Sequence, residues 1–237
     1  MKEQIFIKKM RGGTKDQEIC REVIYSDCYG VSNWKPKRKP KFIVDVGCQI
    51  GAFSLLASQI YPECKILSFE MMEDNFKIAN ENLSDRKNVK CFNGPVVGKN
   101  KPVGVFLNKD NTGGHKAIYE GEDSYLGESR FSAYISADQP EHKPKEDFKS
   151  FNFLEIFSDN NIDRIDFLKM DCEGSEYEII PHLIETGLIK KIDNISLEFH
   201  GRDQREYFDT VSYLFEIFED VKISPMGHLG HFKNLCI

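Results

Sequence analysis

Apolar positions along the chain fall into runs of two kinds, and their alternation predicts the fold. Phe42-Ile43-Val44-Asp45-Val46 is a nearly continuous apolar run leading into Gly47, as a parallel strand covered on both faces requires. Phe53, Leu56, Ala57 and Ile60 then recur at i, i+3, i+4 and i+7, the spacing of one helix face, and Pro62 falls just past its end. Lys65 to Glu70 reads as a second strand. Asp74 to Leu83 reads as a helix with Phe76, Ala79 and Leu83 on one side, and Val89 to Phe92 as a third strand closed by Asn93-Gly94-Pro95. Ile165 to Met170 and Asn194 to Phe199 give a fourth and a fifth strand, with a helical region between them broken or kinked at Pro181. Tyr207, Val211, Leu214, Phe215 and Phe218 mark a strongly amphipathic helix. Val221 to Ser224 and Phe232 to Cys236 read as two final strands around a Pro225-Met226-Gly227 turn. Strands alternating with helices predict an α/β domain with a mostly parallel sheet and helices on both faces.

The 237 residues fit a polar lead-in, 1–40, followed by one domain, 41–237, with an insertion near 99–160. The lead-in carries one amphipathic segment, Gln17 to Tyr25. In the insertion, Val103 to Leu107 and Lys116 to Tyr119 can pair as a hairpin across Asn111-Thr112-Gly113-Gly114. Gly121 to Lys149 is polar and aperiodic, and is expected to be a lid or a substrate-facing loop. Phe151 to Asn161 reads as a short helix. No apolar run reaches the ~18 residues of a membrane span, and Met1 to Arg11 has no signal-peptide core. A cytoplasmic protein is therefore expected. The seven cysteines show no CxxC spacing, which argues against a disulfide framework or a zinc site. A net charge of −6 disfavours a nucleic-acid substrate. The basic cluster Lys35 to Lys41 is read as a solvated linker before the first core strand, with a patch for an anionic group as the alternative.

Candidate chemistry gathers where strands end. In Asp45-Val46-Gly47-Cys48-Gln49-Ile50-Gly51 the glycines let backbone approach a ligand closely. A dinucleotide fingerprint would need glycine at 47, 49 and 52, but Gln49 and Ala52 stand there. The Gly47-x-x-x-Gly51 spacing suits an adenosyl moiety with no pyrophosphate to cradle. Glu70 closes the second strand, where an acid can accept both hydroxyls of a ribose. Asp171-Cys172-Glu173-Gly174-Ser175-Glu176 follows the fourth strand, and Glu198-Phe199-His200-Gly201 ends the fifth. Ligands of open parallel sheets bind beyond these carboxyl ends. Asp171, Glu173, Glu198 and His200 are therefore the candidates for catalysis, with Asp171 or His200 as the base. Lys169 is placed to neutralise the Asp171–Glu173 pair. His228 and His231 are weaker candidates.

Taken together, Phe42 to Gly51, Phe69-Glu70…Asn75, the Leu168-Lys169-Met170-Asp171-Cys172-Glu173-Gly174-Ser175-Glu176 segment and Leu197-Glu198-Phe199-His200 resemble the FkbM-type methyltransferases. The resemblance spans about residues 42–200, and the segment from Leu168 to Glu176 is its specific part. It implies a Rossmann-like methyltransferase fold with an antiparallel C-terminal strand and S-adenosylmethionine as cofactor. It also implies O-methylation of a sugar, glycan or natural product. Carried over by position, Asp45, Gly47 and Gly51 would form the cofactor loop and Glu70 would bind ribose. Asn75 would order the turn after Glu70, and Asn93 or Gly94 would approach the adenine. Met71, Glu73, Cys48-Gln49 and Phe151-Asn152 depart from the usual family pattern.

The partner expected is a small-molecule or glycan acceptor with a hydroxyl group. No metal is required, although the acidic rim offers ligands suited to Mg²⁺. Two other readings stay open at this point. A nicotinamide-dependent oxidoreductase is disfavoured by Gln49, and a non-catalytic cofactor-binding module by the acids at two further strand ends.

Overall fold

The computed structural model describes residues 5, 7–99, 104–106, 114, 116–118, 149–200, 204–224 and 229–233. The chain begins with α1 (Asp16–Cys20), which passes into a turn of π-helix (Arg21–Tyr25). Then follow β1 (Phe42–Val46), α2 (Ala52–Ile60), β2 (Lys65–Glu70), α3 (Glu73–Asn82), β3 (Val89–Asn93) and β4 (Val96–Val97). Next come β5 (Gly104–Phe106), β6 (Lys116–Ile118), β7 (Phe151–Asn152), α4 (Phe153–Asp159), β8 (Phe167–Met170) and α5 (Glu176–Glu185). The last elements are β9 (Asn194–Glu198), α6 (Gln204–Ile217), β10 (Asp220–Ile223) and β11 (Leu229–Lys233). Among the described residues, no helix is long and apolar enough to cross a membrane.

Seven strands form one sheet in the order β10-β11-β9-β8-β1-β2-β3. The strands from β3 to β9 run parallel, and β11 pairs antiparallel with both β9 and β10. This is the Rossmann-like arrangement expected, with its antiparallel C-terminal strand. β5 and β6 pair antiparallel as expected, and β4 pairs with β7 in a small parallel sheet of their own. Local details differ from the sequence reading. Asn152 caps α4 in a reciprocal capping box with Glu155, so Phe151–Asn152 enters the small sheet before the helix starts. Pro181 sits inside α5 without ending it. β11 begins at Leu229 rather than Phe232. Residues 121–148 of the expected lid, the turn at 225–227, His228 and residues 234–236 lie outside the described residues.

Alternation along the strands sorts side chains onto two faces. Val44, Val46, Leu67, Phe69, Leu168 and Met170 share one core with α4, α5 and α6. Ile43, Ile66 and Phe167 face the other way, onto Phe53, Leu56 and Ala57 of α2. The lead-in belongs to this second core: Cys20, Val23, Tyr29 and Val31 are buried in it. The basic linker is pinned as well. Arg38 pairs with Asp193 and Asp166, and the Asp166 carboxylate accepts the backbone N–H groups of Lys41 and Phe42 at 2.7 and 2.9 Å.

On the α2 face a polar row interrupts the apolar core. Ser68, Asp45, Lys169, Ser196 and His231 stand side by side in register across five strands. Two residues further along, on the same face, come Glu70, Gly47, Asp171 and Glu198. The order of strands reverses between β1 and β8, the place where open α/β sheets form a crevice. There the backbone is so tight that a Cβ on Gly47, at φ +75°, would meet the Asp171 carbonyl oxygen at 1.7 Å. At Gly51, φ +88°, an added Cβ meets the Leu83 side chain at 3.0 Å and comes into ordinary contact with the Ala79 Cα at 3.5 Å. Gly47→Ala should therefore cost at least about 3 kcal/mol of stability, and Gly51→Ala only about 1–2 kcal/mol. Urea unfolding of the two variants measures the difference, and equal costs would contradict the packing of Gly47 against the β8 end.

Candidate functional site

Above the carboxyl ends of β1, β2, β8 and β9 lies a cavity of about 460 Å³. That is the size range of small-molecule sites. One half is walled by Gly47, Gln49, Glu70, Asn75 and Gly94, and the other by Asp171, Glu173, Glu198 and His200. Three sequence candidates stand behind or beside this wall. Asp45 is fully buried, Gly51 caps α2, and Asn93 turns away to donate to the carbonyls of Glu70 and Met71. His231 bonds Ser196 within the polar row at 2.9 Å.

The glycine loop is held from three sides. Gly47 and Cys48 both donate to the Phe69 carbonyl, at 3.0 and 2.9 Å. The Lys169 ammonium donates to the Gly47 carbonyl at 2.7 Å and pairs with Asp45 at 3.3 Å. Gln49, where a dinucleotide fingerprint has glycine, takes the left-handed conformation at φ +50°. Its side chain accepts from the Ile50 N–H and donates to Asp16, which fixes a conformation that side chains usually avoid.

Glu70 presents its carboxylate to the cavity in a prepared orientation. One oxygen accepts the Gln49 N–H at 2.8 Å, and the other accepts the Met72 N–H at 2.8 Å and the Asn75 amide at 3.3 Å. Burial raises its pKa to about 7, against the lowering effect of those hydrogen bonds. A desolvated carboxylate with lone pairs left over suits a ligand that brings two hydroxyl donors.

The opposite half is a ring of acids around one imidazole. Glu176 is fully buried in the first turn of α5 and accepts the backbone N–H of His200 at 2.7 Å. The same oxygen meets the His200 ring Nδ1 at 3.1 Å. This turns Nε2 toward Asp171 and Glu173, each at 3.5 Å, and Glu198 at 4.0 Å. Burial opposes charge on the ring, but the Glu176 bond and the surrounding carboxylates outweigh it and raise the pKa to about 10. His200 thus lies on the rim, and its raised pKa favours the protonated ring at neutral pH. Glu173, at φ +55°, has its pKa raised to about 7, chiefly by burial and against the pull of His200. Asp171 accepts from the Tyr29 hydroxyl at 2.7 Å. Lys169 neutralises Asp45 and approaches Asp171 at 3.8 Å, rather than serving an Asp171–Glu173 pair.

Residues that hold the site's side chains in place had no sequence assignment. Glu176 stood in the acidic run and could have been singled out as its third member. Asp16, Arg11 and Tyr29 come from the lead-in, where no spacing signals a site.

The chain matches the Methyltransferase FkbM domain over residues 45–221. It is 29% identical to Methyltransferase sdnD of Sordaria araneosa over 182 residues, which is 69% of this chain and 67% of that one. It is 26% identical to Methyltransferase 1 of Beauveria bassiana over 210 residues, covering 84% and 78% of the two chains. Among solved structures, the fibrillarin of Aeropyrum pernix with natively bound S-adenosyl-L-methionine aligns at a TM-score of 0.47 and 10% identity. That alignment covers 88% of this chain and 73% of the fibrillarin.

The charge on His200 is open to direct measurement. A folded pKa of about 10 above the ordinary 6.5 contributes stability that is complete below pH 6.5 and lost as pH rises toward 10. Nitrogen-15 NMR of the imidazole should show it protonated through neutral pH, and Glu176→Gln should move its titration downward. The alkaline loss of unfolding free energy should shrink in the same variant. A wild-type ring that titrates near 6.5 would refute the assignment.

Proposed function

The chain belongs to the FkbM methyltransferase family, and we propose that it moves the methyl group of S-adenosylmethionine to a hydroxyl of a small-molecule or glycan acceptor. One observation carries this reading: a single cavity joins the prepared carboxylate of Glu70 to a proton-handling rim built on Glu173 and His200. The acids on that rim disfavour a phosphate backbone as acceptor. Nor does the loop suit a dinucleotide, since the Gln49 side chain stands where the fingerprint needs a bare backbone.

The residues fit the cofactor by the chemistry of their donor set. Glu70 would accept the ribose hydroxyls, with Asn75 and the Gln49 N–H fixing its two oxygens. Gly47 and Gly94 would offer backbone to the cofactor, while the space a Cβ would take at each is filled by the backbone of Asp171 and of Lys149. When bound, the cofactor supplies an electrophilic methyl on a sulfonium. An alcohol needs help in losing its proton, and Glu173 is the group whose pKa of about 7 matches that task at neutral pH. His200, held protonated by Glu176, would donate to an acceptor oxygen and set its direction. Asp171, steadied by Tyr29, would place the acceptor from the other side.

Calorimetry with S-adenosylhomocysteine tests the cofactor half. Glu70→Ala should weaken binding by about 1.5–3 kcal/mol, roughly 10- to 150-fold. Ribose hydroxyls donate to the ionised carboxylate, so wild-type affinity should climb with pH, by up to about tenfold per unit below 7, and level off above. An affinity indifferent to pH and to Glu70→Ala would remove Glu70 from the ribose. No binding at all by the wild type would overturn the function.

Screening of hydroxylated acceptors with S-adenosylmethionine tests the other half. Glu173→Gln should lower kcat by about 10²–10³-fold and remove the rise of rate through pH 7. Affinity for S-adenosylhomocysteine should stay within a few-fold of wild type. A variant that turns over normally would place the base elsewhere.

A further inference from the structure

The lead-in is joined to the cavity at two points, and the first is an ion pair that touches two of the three supports of Glu70. The Asp16 carboxylate is fully buried. Arg11 donates to it three times, from its backbone N–H at 2.9 Å, from Nε at 3.0 Å and from Nη2 at 2.9 Å. Gln49 Nε2 adds a fourth contact at 2.7 Å. The same Arg11 Nη2 also donates to the Asn75 side-chain oxygen at 2.7 Å. Gln49 and Asn75 each bond a different oxygen of Glu70, the second of which also accepts the Met72 N–H. Each Glu70 oxygen is thus one residue away from the Arg11–Asp16 pair.

Beyond Asp16 the chain becomes cavity wall. Ile19, Glu22, Val23, Ser26 and Cys28 line the cavity, and the stretch ends where the Tyr29 hydroxyl meets Asp171. This wall is made of five residues of α-helix and five of π-helix, neither with a side-chain cap at its start. Helices this short do not hold themselves in water. They depend on the apolar contacts of Cys20 and Val23 and on the anchor at Asp16.

We propose that Asp16 is a positioning residue that, through Gln49 and Asn75, ties the lead-in wall of the cavity to Glu70, so that filling the cofactor site secures the wall against which the acceptor rests. The linkage must run both ways. Whatever steadies Glu70 steadies the lead-in, and a docked lead-in favours the Glu70 orientation that a ribose needs. The consequence is an order of assembly, cofactor before acceptor. The proposal rests on the cofactor reading given above.

Hydrogen exchange in residues 17–29, with and without saturating S-adenosylhomocysteine, reads the linkage directly. In the wild type the ligand should slow exchange there by about tenfold or more. Two variants cut the link. Gln49→Gly accepts φ +50° without strain and keeps the backbone N–H on Glu70, losing the side-chain bonds to Asp16 and to the Ile50 N–H. Asp16→Asn removes the charge that holds Arg11. Both should still bind S-adenosylhomocysteine by calorimetry, about 5- to 20-fold more weakly, with the ligand-dependent slowing reduced below about threefold. The ligand-dependent change is the quantity compared, since a purely structural anchor would alter basal exchange and leave that change intact. Should Asp16→Asn melt, as circular dichroism would show, Gln49→Gly alone decides. Tenfold slowing that survives in the variants overturns the proposal, as does binding to the wild type with no slowing. Absence of any binding to the wild type instead overturns the cofactor reading beneath it.

Discussion

The buried ammonium of Lys169 is the point on which this architecture turns. It sits almost wholly out of water, between Asp45 on the neighbouring strand and Asp171 at the end of its own, and it holds the carbonyl of Gly47. The Tyr29 ring lies under it with its centre 5.0 Å away. Burial works against its charge, but the two acids prevail and keep its pKa above the ordinary lysine value. A charge so placed is tolerable only while every partner stays in position. Removing one would strand the other at a cost of about 3–5 kcal/mol. The pair therefore bridges β1 and β8 close to the end of their ladder, where the crevice opens. It also fixes the height of the glycine loop, because Gly47 cannot move without breaking its bond to Lys169.

That constraint extends sideways. Ser54 bonds both Asp45 and Ser68, at 2.7 and 2.6 Å, so α2 is keyed to the same polar row. Strand geometry then does the rest. Side chains repeat on one face every two residues, so a row of buried polar groups places the next same-face residues just past the sheet edge. Glu70, Gly47, Asp171 and Glu198 occupy that edge. The pattern can be read in the sequence as Ser68-Phe69-Glu70, Asp45-Val46-Gly47, Lys169-Met170-Asp171 and Ser196-Leu197-Glu198: polar, apolar, functional. This is why the strand ends could be placed from sequence alone, and why the apolar runs located the five parallel strands of the main sheet.

What the sequence left hidden depends on side chains that cross between distant segments. Asp16 and Arg11 look like ordinary surface charges in a polar stretch, and only the fold brings them over Gln49 and Asn75. Gln49 itself read as a missing glycine. Its left-handed backbone shows that the loop keeps the glycine-like geometry and adds a side chain with a task. Glu176 was visible as part of an acidic run, but nothing in its neighbours shows that it faces a strand end reached only after α5. Asp45 misled in the opposite direction. Its place in the loop motif suggested ligand contact, whereas full burial gives it to Lys169.

The protonation of the rim follows from the same separation of charges. A histidine alone at a strand end suggests a base, because its unperturbed pKa lies near neutrality. Here four carboxylates face it, and one of them, Glu176, has no water to screen it. Charge on the ring therefore compensates theirs, and the proton stays. Glu173 faces the converse balance: it is largely buried, lies next to other acids, and is relieved only in part by His200. Both groups are pushed toward their protonated forms, and each is part of the other's environment. An imidazolium pushed up to about 10 and a carboxyl pushed up to about 7 leave the carboxylate as the partner that gains and releases a proton around neutral pH. The imidazolium remains a fixed positive donor at the centre of the rim. The charge on the imidazole rests on the buried Glu176, which the fold supplies at the start of α5, three residues beyond Glu173.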